Sequence, residues 1–382
     1  TSFVPGWRAY LAKAVKEVVD IPVCAANFMR SPEQAEEQLE NGTQDFIGSA
    51  RTFICDPYWV RKVEEGRENE IKRCIGCLNC IESFTNGATQ GKHGECALNP
   101  AVGMERAWDE TQPDGDGRAV VVVGAGPAGL ISAEVMARRG FKVTVLEKSE
   151  KPGGQVITAS TCLHKDKLYW SIEDLMANVK KLGVDVRLGV EADEKTIAKQ
   201  KPYAVIVATG GVPVRPRSIK GIDGDNVCTA PEIIHGVRTF KDSVVAVIGS
   251  GMTGLETTEI LNENGNHVVV VEMADTVAPG TWFQLVDDEM ERIGKYETEF
   301  LTGKRLVKIL PDRIIVEDTK TSMLSEILVD GVVLSLGVRP VNELAKKLDG
   351  KYKYVVAVGD AKKSGRIADA VHDAFNAVMR IK

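Results

Sequence analysis

The chain has 382 residues, a formal net charge of -6 and eight cysteines, enough length for two or three cores of about 100 to 200 residues each. Its acidic balance, with no lysine or arginine run, excludes a binder that tracks nucleic-acid phosphates. No apolar run reaches the ~18 to 20 residues of a membrane span, and the N-terminus Thr1-Ser-Phe-Val-Pro-Gly-Trp-Arg lacks a signal-peptide pattern, so the eight cysteines point to a reducing, cytoplasmic setting.

Residues 7–19 predict an amphipathic helix and 21–26 a short apolar strand. Ser31-Pro-Glu-Gln caps a second helix that stops at Asn41-Gly42, residues 45–50 form a second apolar strand, and Pro57-Tyr-Trp-Val-Arg-Lys-Val opens a third helix. Helices alternating with strands that are apolar throughout give an α/β fold whose parallel sheet is covered on both faces. Two strands cannot close such a sheet, so residues 1–70 read as the end of a larger (β/α) unit. The strand ends Cys24-Ala-Ala-Asn27 and Gly48-Ser-Ala-Arg51 offer bare amides and one arginine to a phosphate, or simply pack tightly.

Cys74, Cys77 and Cys80 follow at two-residue gaps, and Cys96 returns after a polar, glycine-rich loop. Thiolates at this spacing can converge on a 4Fe-4S cluster, with Leu98, Asn99 and Pro100 wrapping it. Zinc favours two separated C-x2-C pairs, and the triplet is too tight for disulfides, which leaves zinc and free thiols as the rival readings. Cys24, Cys55, Cys162 and Cys228 are scattered and read as packed thiols.

A charged linker, 109–117, marks a boundary. Beyond it Ala119-Val-Val-Val-Val runs into Gly124-Ala-Gly126-Pro127-Ala128-Gly129, a helix, and a second strand ending at Glu147. Gly124 permits the tight turn, Gly126 lets a pyrophosphate reach the backbone, Gly129 lets helix pack on strand, and Glu147 can hold a ribose diol. The unit then repeats: Gly249-Ser-Gly251-Met-Thr-Gly254 and Glu272 each lie 125 residues beyond their counterparts. Two such units imply two adenine dinucleotides, and the chemistry that uses two is flavin reduction by a nicotinamide.

The first unit suits FAD. Lys148 and the second glycine turn Gly153-Gly154-Gln155 can lie along its pyrophosphate, and Gly359-Asp360 closes a strand where ribityl hydroxyls would sit. The crossings Val205-Ile-Val-Ala-Thr209-Gly210-Gly211 and Val332-Val-Leu-Ser-Leu-Gly337 make the second unit an insert within the first. Glu272 and Asp275, with no arginine nearby in sequence, favour NADH over NADPH at that second site. His93 is either a proton donor or a solvated loop residue, Glu256 either a group near the nicotinamide or a solvated first-turn charge, and His164, His235, His267 and His372 offer no constellation with a cysteine or serine.

Together the cysteine set, Gly124-Ala-Gly126-Pro-Ala-Gly129, Gly153-Gly154-Gln155 and Gly359-Asp360 resemble the 2,4-dienoyl-CoA reductase and trimethylamine dehydrogenase group of iron-sulfur flavoproteins. That resemblance implies an old-yellow-enzyme-type FMN barrel ending at 1–70, a 4Fe-4S linker at 71–117, an FAD domain at 118–223 and 341–382, and an NAD(H) domain at 224–340. The implied cluster ligands are Cys74, Cys77, Cys80 and Cys96, and Asn27, Ala50 and Arg51 match the FMN-phosphate turn. The implied flow runs from NADH to FAD, through the cluster, to FMN and an activated C=C bond; the alternatives are reverse flow from an amine, or a subunit without its own substrate site. Two departures stand out: fifteen residues separate Cys80 from Cys96, more than the family's usual spacing, and Phe28 stands where the reductases tend to carry an arginine. The first six barrel strands, with the catalytic residues and most FMN contacts, are expected outside this chain, which implies homo-oligomers or association through the barrel portion. No residue here is assigned as the catalytic acid or base.

Overall fold

Valines dominate the centre of the chain, and in the computed structural model, which describes residues 3–26, 28–88, 90–91 and 93–382, they form the middle strands of two parallel sheets. β-Branched residues suit a pleated strand covered on both faces. Val120, Val121, Val122, Val245, Val247, Val268 and Val270 are all shielded from solvent. The residues divide into two units, Thr1–Val156 with Lys167–Gly210 and Val341–Lys382, and Ile157–Asp166 with Gly211–Pro340.

In the first unit the strand order is Tyr354–Ala357, Ala204–Val207, Ala119–Val123, Lys142–Leu146, Asp185–Arg187, every neighbour parallel. Helix Pro127–Arg138 lies against helices Trp170–Lys181 and Ile367–Met379. Small residues Ala128, Gly129, Ser132 and Ala133 on its buried face allow that close approach. In the second unit the order is Val227–Thr229, Gly331–Leu334, Val244–Ile248, His267–Val271, Thr298–Leu301, again parallel throughout. Each sheet thus places its glycine-turn strand third, flanked by the strand that follows it in the βαβ unit. A three-stranded antiparallel meander, Lys304–Ile309, Arg313–Asp318 and Leu324–Leu328, packs its apolar side into the core of the second unit.

The N-terminal segment holds Ala9–Lys16, Pro32–Glu40, Ala50–Cys55 and Trp59–Glu64 as helices, and Cys24–Ala26 paired in parallel with Phe46–Gly48. The Ser31 hydroxyl caps the second helix by accepting from Gln34 N at 3.2 Å. Two expectations need correction. These strands are not buried on both faces, because each has a single partner: Cys24 and Phe46 are exposed, so Cys24 is not a packed thiol. The polar stretch after Cys80 is also no simple loop, since Asn79–Ala88 is helical. No described helix is long and apolar enough to cross a membrane.

Candidate cofactor-binding sites

The first glycine turn is built as its spacing predicts. Gly124 sits at φ +106, and a Cβ there would strike the Ala208 carbonyl, while one at Gly129 would strike the carbonyl of Gly124. Above Gly126 the nearest described atom to such a Cβ is Gly153 O at 3.8 Å. The space above Gly126, where helix Pro127–Arg138 opens, is therefore free for an anion to approach the backbone. The second turn repeats this: Gly249 is at φ +99, Gly254 packs on the Gly249 carbonyl, and nothing described lies within 4 Å of a Cβ at Gly251.

The two acids repeat it more closely still. Glu147 Oε2 accepts from Ala125 N at 2.7 Å and Oε1 from Ser149 N at 2.9 Å. Glu272 Oε2 accepts from Ser250 N at 2.9 Å and from its hydroxyl at 2.8 Å, and Oε1 from Ala274 N at 2.8 Å. Each carboxylate, predicted only as a ribose ligand, also braces the glycine turn of its own unit, and its further lone pairs can still accept from a diol. Burial opposes charge on Glu272, but the Ala274 and Ser250 amides and the Ser250 hydroxyl hold its carboxyl below the usual range. Beside it, exposed Asp275 pairs with Lys320 at 3.0 Å, a cation that sequence proximity did not reveal.

Gln155 and Asp360 meet: Gln155 Nε2 donates to Asp360 Oδ2 at 2.6 Å, and Gly365 N donates to Oδ1 at 2.9 Å. Gly153 and Gly154 have φ +132 and +55. Gly359, at φ +58, gives its amide to Asp373 at 3.0 Å and packs so closely on Ala128 that a Cβ would lie 2.7 Å from the alanine methyl. Asp360 therefore sits beside the first glycine turn, and burial pushes its carboxyl up. Thr209 Oγ1 donates to Val341 O at 2.5 Å next to Gly210, at φ +71. Lys148 is exposed.

Cys74, Cys77, Cys80 and Cys96 line one largely apolar cavity with Ile75, Leu78 and Leu98. A fifth thiol joins them. Cys55, 1 % exposed, lines the same cavity and hydrogen-bonds Cys96, whereas its sequence position gave only a packed residue. Burial pushes Cys77 up to about 12 and Cys80 up to about 11. The hydrogen bond from Cys55, aided by the Leu98 and Asn99 amides, brings Cys96 down to about 7. Leu98 N lies 3.4 Å from Cys96 Sγ, and Asn99 Nδ2 donates to Ile54 O at 3.1 Å. All eight cysteines are free. Among the described residues no group of three or more His, Cys, Asp or Glu side chains is placed to hold a metal ion. The cysteine segment is fastened by Lys72 to buried Glu134 at 2.9 Å and by Arg73 to Asp174 at 2.9 Å. His372, placed in no constellation by sequence, has Nε2 2.8 Å from the Cys96 carbonyl, while His93 bonds its neighbour's carbonyl at 3.1 Å.

Of the phosphate-turn residues, Asn27 lies outside the described residues. Ala50 and Arg51 open helix Ala50–Cys55, with the Arg51 guanidinium 4.5 Å from the Phe28 ring and lining the cysteine cavity. Glu256 is not a solvated charge. It is buried, pairs with Lys165 at 3.0 Å and takes the Cys162 thiol at 3.6 Å. Lys165 also reaches Glu289 at 3.8 Å, and Arg292 joins Glu259 at 2.6 Å and Glu289 at 2.8 Å.

Residues 118–360 match the pyridine nucleotide-disulphide oxidoreductase family. The chain belongs to that family. Ahead of this pyridine nucleotide-disulphide oxidoreductase region, residues 6–70 match the NADH:flavin oxidoreductase / NADH oxidase family. The chain is 40% identical over 388 residues to an NADH oxidase of Thermoanaerobacter brockii, covering 99% of this chain and 58% of the relative. It is 27% identical over 370 residues to a cinnamate reductase of Clostridium sporogenes, covering 96% and 54%. A solved 2-naphthoyl-CoA reductase in complex with 2-naphthoyl-CoA superposes with a TM-score of 0.91 at 29% identity, covering all of this chain and 58% of that one. The chain thus spans little more than half the length of these relatives. The paired matches bear out the resemblance to the 2,4-dienoyl-CoA reductase and trimethylamine dehydrogenase group.

Proposed function

We propose that the chain is the electron-transfer portion of an NADH-dependent flavin oxidoreductase, with FAD at 118–223 and 341–382, NADH at 224–340, and a 4Fe-4S cluster on Cys74, Cys77, Cys80 and Cys96. The observation that carries this reading is the duplicated glycine turn, each braced by the acid 22 or 23 residues on and each open above its middle glycine. Nicotinamide supplies two electrons as a hydride, flavin accepts them together and releases them singly, and an iron-sulfur cluster carries one at a time.

This chain's residues bind and orient. Amides after Gly126 and Gly251 receive pyrophosphates, Glu147 and Glu272 receive ribose hydroxyls, and Gln155, Asp360 and Thr209–Gly210 hold the remainder of the flavin. The Glu272 carboxylate disfavours a 2'-phosphate beside it, which favours NADH as the donor. Ile75, Leu78 and Leu98 exclude water from the thiol cavity. In the same reading the NAD(H) domain is an insert in the FAD domain, and residues 1–70 are the end of an FMN barrel. Asn27, Ala50 and Arg51 contribute to its phosphate site, and its further strands complete the sheet begun by Cys24–Ala26 and Phe46–Gly48. Exposed Phe46, Ile21 and Val18 support association through that edge. The whole enzyme reduces an activated C=C bond, as the names of the cinnamate and naphthoyl-CoA reductases suggest, in a cytoplasmic setting consistent with free thiols.

Anaerobic titration with NADH tests the reading. Flavin absorbance should bleach first and iron-sulfur absorbance fall next. A chain that holds flavin yet stays oxidised under excess NADH would reverse the proposed direction.

A further inference from the structure

Arg30 is 3 % exposed, and among the described residues none of its three guanidinium nitrogens has a nitrogen or oxygen partner. An uncompensated buried cation is among the most costly features a fold can carry. Its Cζ sits over the Phe28 ring, 3.1 Å from the centroid, with the Trp170 ring at 5.4 Å, and Arg51 shares the Phe28 ring. Its Nη2 would be 2.8 Å from a Cβ at Gly76, the middle of the Cys74–Cys77 segment. Two guanidiniums share one ring beside the cysteine segment, and no carboxylate meets Arg30 among the described residues, so the cluster of cations suits a negative group next to that segment.

We propose that Arg30 is the counter-charge of the group held by the four cysteines: an anionic iron-sulfur cluster whose negative charge compensates the buried guanidinium. This rests on the cluster reading above. A fixed positive charge favours the more negative, reduced state, so Arg30 raises the reduction potential without ligating iron. Gly76 contributes by lacking a side chain, since any Cβ there would collide with Phe28 at 2.7 Å and with Arg30.

The test compares the unmodified chain with Arg30→Met and Arg30→Lys, purified anaerobically and assayed for iron, sulfide and flavin, then titrated potentiometrically by electron paramagnetic resonance. Expected is a full iron complement in all three, with the cluster of Arg30→Met reduced at lower potential and that of Arg30→Lys close to the original. Iron lost from the Met variant but kept in the Lys variant also supports the counter-charge. Equal potentials in the Met variant and the unmodified chain would overturn it, as would iron lost equally from both variants, or flavin lost while the cluster is unchanged. Absence of iron from the unmodified chain would instead overturn the cluster reading itself.

Discussion

Gln155 and Asp360, 205 residues apart in the chain, are joined by a 2.6 Å hydrogen bond beside the first glycine turn. Asp360 is further fixed by Gly365, and the Gly359 backbone is held in the left-handed region by its packing on Ala128. Replacing Asp360 by Ala removes an ionisable acceptor from this junction, for which charged hydrogen bonds give about 1.5 to 3 kcal/mol. Flavin dissociation followed by fluorescence should be at least tenfold weaker in Asp360→Ala, with a smaller loss in Gln155→Ala; undiminished flavin affinity in Asp360→Ala would place the flavin elsewhere.

The paired acids allow a crossed experiment. Glu272→Gln should raise the KM for NADH about tenfold, equivalent to about 1.4 kcal/mol, while leaving flavin content unchanged. Glu147→Gln should do the reverse and lower bound flavin. Steady-state NADH:ferricyanide assays and flavin quantification separate the two, and a common loss in both variants would mean the acids serve folding alone.

Much of this was legible in the sequence because glycine turns constrain backbone geometry locally. Gly124, Gly126 and Gly129, and their copies, are required where Cβ atoms would meet carbonyls, and that requirement shows in spacing. What escaped notice depends on side chains brought together from afar. Cys55 looked like an isolated buried thiol until helix Ala50–Cys55 turned it into the cysteine cavity. His372 reaches the Cys96 carbonyl across 276 residues, and Glu256 finds Lys165 across 91, distances at which no sequence period operates. The exposure of Cys24 and Phe46 was missed because apolar composition reports burial in a complete sheet, and each strand here has one neighbour.

The five thiols are not equivalent. Cys74→Ser should abolish iron binding after anaerobic reconstitution, whereas Cys55→Ala, which removes only a hydrogen bond to Cys96, should retain the full iron and sulfide content. Colorimetric iron analysis of both variants decides it. Iron lost from Cys55→Ala and retained in Cys96→Ser would make Cys55 the fourth ligand.

Glu289 gives the second unit a pH dependence. Burial raises its carboxyl from 4.5 to about 7, so the folded unit holds a proton that the unfolded chain releases. Its stabilising contribution is complete below about pH 4.5 and is lost as pH rises through about 7, on the order of 1 to 3 kcal/mol. Scanning calorimetry should find the unfolding temperature of the unmodified chain falling across that window and a flatter profile in Glu289→Gln. Parallel profiles would show that Lys165 and Arg292 keep Glu289 ionised throughout.

Among the described residues strand Tyr354–Ala357 pairs only with Ala204–Val207, and both Asp360 and helix Ile367–Met379 follow it. On the ribosome, the first parallel sheet must therefore wait with an open edge while roughly 140 residues, including the entire second sheet, are synthesised. The unit encoded in between is complete first, and the earlier one gains its outer strand and Asp360 only afterwards. A nonsense or frameshift lesion between residues 341 and 354 would consequently leave the second sheet whole and the first without its edge strand.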